Sequence, residues 1–133
     1  MRTRFLPGLA LVVVQVSAFP TTSAAQGIDG MWCTQNETMN ETIHIDAYGI
    51  GFNEHTMCDV ANLPVQMDAA DRYTSAISCR NVHIIGRDAD GNYETHETPV
   101  DGLTQISLRG AADGTLILST DLHAAEMHFL PCE

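Results

Sequence analysis

Turn signals centred on glycine and aspartate punctuate this chain at short intervals, among them Tyr48-Gly49, Asp90-Gly91 and Asp113-Gly114. Between them lie short stretches rich in Ile, Val, Leu, Thr and Tyr, and no window sustains a 3.6-residue period. A chain cut this finely cannot build long helices, and period-2 runs closed by tight turns are the pattern of an antiparallel meander. Strands are expected near 29–33, 42–47, 50–58, 72–79, 81–87, 92–98, 103–109, 115–122 and 127–132. The expected fold is all-β, an up-and-down antiparallel meander of about eight strands closing into a small barrel or tight sandwich. Its core should hold Trp32, Ile43, Ile45, Ile50, Phe52, Ile77, Ile106, Leu108, Leu116, Leu118 and Phe129. The stretch around Pro64 is the longest irregular one, with room for a helical turn at Met67 to Asp71.

Residues 1–25 have a different character. Arg2 and Arg4 precede an apolar run from Phe5 to Phe19, and Ser23-Ala24-Ala25 supplies a small-residue cleavage site. These are the parts of a secretory signal peptide, and the run is too short and interrupted for a membrane span. The expected product is a single exported domain, residues 26–133, periplasmic or extracellular, with no membrane contact in its mature form. Cys33, Cys58, Cys79 and Cys132 all fall within it. In an oxidising compartment an even number reads as two disulfides, which a domain of this size needs because its core is modest. Asn36 and Asn40 each open an N-glycosylation tripeptide.

Charge excludes whole classes of function. The net charge is −11, and removing Arg2 and Arg4 takes it to −11 − 2 = −13, with four arginines and no lysine against seventeen carboxylates. Nucleic-acid and anionic-lipid binding both run on lysine and arginine, so neither is expected. The partner such a surface would attract over long range is a basic protein.

The stretch "IHIDAYGIGFNEHTMC" holds two histidines, two acids and a cysteine in sixteen positions. A two-residue turn at Tyr48-Gly49 sorts it into an apolar face, Ile43, Ile45, Ala47, Ile50 and Phe52, and a polar face with Thr42, His44, Asp46, Asn53 and His55. A half-buried hairpin therefore accounts for its polar residues. In this register His44 and His55 are diagonal neighbours, and a turn at Asp90-Gly91 relates His83 to His96 in the same way while setting Arg87 opposite Glu94. These four histidines are the candidate transition-metal ligands, two nitrogens per pair where zinc takes three or four. Glu54 shares parity with Phe52 and would turn inward at the rim, a candidate acid or base. No nucleophile elbow, phosphate loop or cofactor fingerprint is present in the sequence, and neither a catalytic set nor a cofactor is expected.

Two features bear on closure. Leu108 must share a face with Leu116 and Leu118, which requires a three-residue loop with Gly114 in the left-handed region. If strands 50–58 and 72–79 are neighbours paired from their near ends, Cys58 and Cys79 lie roughly 20 Å apart, beyond a disulfide's reach. That favours Cys33 with Cys58 and Cys79 with Cys132.

"DGMWC" sets Gly30 and Trp32 on the first strand. The pair resembles the Gly-x-Trp signature of calycin-type barrels, in which the tryptophan plugs one end. With size and export, the chain loosely resembles small periplasmic inhibitor barrels and uncharacterised four-cysteine exported bacterial proteins. The resemblance implies a structural role for Gly30 and Trp32; charge, size and the lack of catalytic geometry point to a non-catalytic exported binding module, an inhibitor or accessory protein of a basic secreted enzyme, with metal binding by the histidine pairs and a hydrolase using Glu54 and a histidine as the alternatives.

Overall fold

The computed structural model describes residues 27–34 and 41–133. The expected leader and both glycosylation tripeptides' asparagines, Asn36 and Asn40, lie outside the described residues. Among the described residues there are nine strands: β1 Gly30–Thr34, β2 Thr42–Asp46, β3 Gly49–Phe52, β4 Thr56–Val60, β5 Arg72–Arg87, β6 Tyr93–Pro99, β7 Gln105–Gly110, β8 Leu116–Thr120 and β9 Met127–Pro131. Eight of them close into an antiparallel barrel in the order β1-β2-β3-β4-β5-β7-β8-β9, with β9 pairing back onto β1. β6 stands outside the ring, bonded only to the second half of β5.

Alternation builds the core. Ile43, Ile45, Ile50, Ile106, Leu108, Leu116, Leu118 and Phe129 are almost wholly buried, and Ile77 is buried beside them. Trp32 and Phe52 are only partly buried, because each lies toward an end of the barrel; the Trp32 indole N–H donates to the Ile28 carbonyl at 3.0 Å. The irregular stretch contributes more than expected. Its chain forms no helix; Asp68 accepts from the Ala70 and Arg72 amides to make a tight turn, and Val65 and Met67 drop into the core. The loop before β8 is as expected: Ala111 N–H bonds the Thr115 carbonyl, Gly114 has φ 87°, and Leu108 lies opposite Leu118.

The first hairpin turns one position earlier than expected. Asp46 Oδ1 accepts from both the Tyr48 and Gly49 amides, which closes the chain at Ala47-Tyr48 and sets Ile45 opposite Ile50 and His44 opposite Gly51. A shift of two preserves parity, so the apolar face survives. The expected strand 50–58 is broken: Asn53 takes φ 53°, the chain reverses through Glu54-His55, and β4 runs back along β3.

That break overturns the expected disulfides. β4 pairs far along the long β5, so Cys58 faces Cys79 itself rather than residue 72. The observed bridges are Cys58–Cys79, with Cα atoms 4.0 Å apart, and Cys33–Cys132, at 5.1 Å. Ala61 N–H bonds the Ala76 carbonyl and Val82 N–H the His55 carbonyl, so even-numbered residues of β5 turn their backbone groups toward β4. Cys79 is left at a non-hydrogen-bonded position, where antiparallel strands come nearest. Cys33–Cys132 spans the seam between the first and last strands, the one junction that turns the meander into a closed ring.

Candidate functional site

The site begins where β5 outgrows the barrel. β7 pairs with Arg72 to Ala76, and β4 with Ile77 to Asn81; beyond that, β5 keeps only β6 as a ladder partner. Val82 to Arg87 and Tyr93 to Pro99 thus form a two-stranded arm. Its loop has three residues rather than the expected two. Asp88 N–H bonds the Asn92 carbonyl, Gly91 takes φ 85°, and Asp88 Oδ1 accepts from the Asp90 and Asn92 amides. Those bonds, with the Asn92 side chain first among them, hold the Asp88 carboxyl below its usual range. The extra loop residue sets Arg87 opposite Tyr93 instead of Glu94, with the guanidinium 4.1 Å above the phenol ring and bonded to its hydroxyl. By itself such a slip would exchange the arm's faces, but a bulge between Ile84 and Gly86 restores parity.

The result regroups the histidines. His83 stands directly opposite His96 rather than diagonal to it. His55, carried away from His44 by the chain reversal, brings its ring to 5.0 Å from that of His83. Three of the four expected ligands therefore meet at the root of the arm, while His44 stays on the outer face of β2 opposite Gly51. As they stand, no three His, Cys, Asp or Glu side chains among the described residues converge on a point an ion could fill. Glu54 does not turn inward: its carboxylate is exposed in the turn, 4.0 Å from the His55 ring nitrogen. Parity with Phe52 turns Glu54 inward only if the strand continues, and parity ends where the strand does.

The arm exposes what a barrel would bury. Ile84, Ile85 and Tyr93 are 64%, 66% and 59% exposed, set among Asp88, Asp90, Glu94 and Glu97. Arg80 fastens its base, bonding Asp59 at 2.8 Å from β4 and Glu97 at 3.3 Å from β6. A strand-by-strand pattern does not set the arm apart as a separate unit. The available signal is the consecutive pair Ile84-Ile85, which breaks the in-out alternation that Tyr73 to Cys79 keep in the first half of the same strand.

Below the root lies a barrel mouth, a cavity of about 240 Å³ with Phe52, Val100, Leu103 and Met127 on its walls and Thr120 and His123 at its edge. In the same loop as Thr120 and His123, Asp121 accepts from the Thr104 hydroxyl and from the Thr104 and Gln105 amides. Those bonds, the Thr104 side chain foremost, lower its pKa to about 2.

No known protein family, curated protein or solved structure matches this chain. What stands is a closed eight-stranded barrel with two disulfides, and its function has to be read from its own residues.

Proposed function

We propose that this protein is an exported, non-catalytic binding module that engages a basic partner protein through the β5–β6 arm. The observation that carries the reading is the exposure of Ile84, Ile85 and Tyr93 on a ribbon that also bears four carboxylates. A free two-stranded ribbon is marginal in water, and exposed aliphatic and tyrosine side chains at its surface gain free energy only when something covers them. The outer edge of β6 has no strand beside it among the described residues, so a partner's extended segment can add to the sheet there. Acidic residues around an apolar centre steer a basic partner and set the orientation of docking. The loose resemblance of the chain's size and meander to small periplasmic inhibitor barrels, beside the calycin-type Gly-x-Trp pair at Gly30 and Trp32, supports the finer reading, an inhibitor or accessory subunit of a basic secreted enzyme.

The test is capture from extracellular or periplasmic extract at low and high salt, using the wild type, an Ile84→Asp/Tyr93→Ala variant and a Met31→Asp control. A basic protein retained at low salt, lost at high salt and lost in the arm variant alone supports the reading. Equal capture by the arm variant, or no salt-sensitive partner, overturns it.

A second reading, transition-metal capture, is favoured by the His55–His83 ring contact. If rotation of the exposed His96 side chain completes a three-nitrogen set, Zn²⁺ or Cu²⁺ should bind wild type at least tenfold tighter than His83→Ala. Equal affinity removes it.

A further inference from the structure

The opposite end of β5 carries a second surface feature that the arm does not involve. On the outside of β5, β7, β8 and β9, register aligns Arg72 with Arg109, Arg109 with Ile117, and Ile117 with His128. The adjacent row is made of hydroxyls, Thr74 with Ser107 and Ser107 with Ser119. Inward-facing Tyr73, Leu108 and Leu118 are buried in the core, which puts both rows on the outer face. Between them lies a depression of about 260 Å³, lined by Arg72, Ser107, Arg109, Ile117, Ser119 and Glu126. Ile117 is buried on this outer face, a floor beneath polar walls.

The charges here oppose what stability alone selects. Like charges directly opposite across a ladder destabilise it. Only four arginines stand against seventeen carboxylates beyond the leader, yet two of them occupy facing positions. Arg109 meets Glu126 at 3.5 Å, an exposed pair that water and salt weaken. The Arg72 guanidinium bonds no acid among the described residues, whereas Arg80 and Arg87 are both engaged. Other titratable groups stand around it: Asp68, whose carboxylate accepts from the Arg72 backbone amide at 3.0 Å, Asp71 against Gly110, and on the far side His128 and Asp113.

We infer that this depression is an oxyanion site that takes the phosphate or sulfate group of a small ligand. Two guanidinium forks supply charge-assisted donors, and Ser107 and Ser119 supply rotatable hydroxyl donors on the next row. A bound dianion removes the Arg72–Arg109 repulsion and displaces the Glu126 carboxylate. The surrounding negative field limits the ligand to a small one, since a polyanion would meet carboxylates wherever it extended past the depression.

The experiment is separate titration of the full chain with inorganic phosphate and with sulfate at low ionic strength, with chloride as control, read by amide NMR. Saturable shifts confined to residues 72–74, 105–109 and 117–119 are expected, weakened at least tenfold in Arg72→Gln and in Arg109→Gln and unchanged in Arg87→Gln. The tighter of the two anions names the group. Thermal melting provides a second readout: phosphate or sulfate should raise the midpoint of the wild type and not of the two variants, and Arg72→Gln without anion should melt no lower than wild type. Non-saturating shifts, or equal binding by wild type and both variants, overturn the proposal.

Discussion

The two halves of β5 are one unbroken strand with two different physical lives. From Arg72 to Cys79 it is a wall, flanked by β7 and β4, with Tyr73, Ser75, Ile77 and Cys79 buried in strict alternation. From Val82 to Arg87 it has β6 on one side and water on both faces, and its isoleucines are exposed. The backbone and residue types change little across Asn81; what changes is the number of neighbours. Burial in this protein is a property of the ring, and residues carried past its rim are available to bind something else.

The comparison can be broken most forcefully at the seam. Removing Cys33–Cys132, for example as a double Cys→Ser variant, reopens a loop of sequence separation 99 and should destabilise the barrel by about 4–5 kcal/mol in the loop-entropy picture. Cys58–Cys79, with separation 21, should contribute about 3 kcal/mol, and urea unfolding of the two variants gives the order directly. Next comes the wall itself. Leu108→Ala, at a wholly buried position opposite Leu118, should cost about 2–5 kcal/mol by the same measurement.

A pH series sharpens the contrast at the rim. Asp121 has a folded pKa of about 2 against an ordinary 3.8, so its stabilising contribution is fully present above about pH 5 and fades as pH falls through 2. The melting difference between wild type and Asp121→Asn should therefore be constant near neutrality, begin to shrink below about pH 5 and be lost only as pH falls through 2 toward about 1; a difference undiminished at about pH 2 rules this account out. The smallest effect is reserved for the arm. Ile84→Ser and Ile85→Ser should each alter stability by no more than about 0.5 kcal/mol, because neither residue is buried. Costs as large as that of Leu108→Ala would mean the arm is part of the core after all.

How far the site was legible follows from what each residue depends on. Arg72, Ser107 and Ser119 gain their meaning from pairings between strands that are distant in the chain, which no local pattern reveals. Sharing a hairpin makes His83 and His96 legible as cross-strand neighbours, whereas hairpin parity alone places His55 beside His44 rather than beside His83. Its true neighbour lies across a break that only the positive φ of Asn53 created.

By itself the sequence determined the strand class, the inward set from Ile43 to Phe129, the Gly114 loop and the oxidised state of four cysteines. All of these follow from period-2 patterning and turn chemistry, which act within a few residues. Only the tertiary structure decided which cysteines met, that β4 reversed against β3, and that β6 fell outside the ring. Those choices depend on register between segments far apart in the chain, and register is set by the packing of the whole closed sheet against its core.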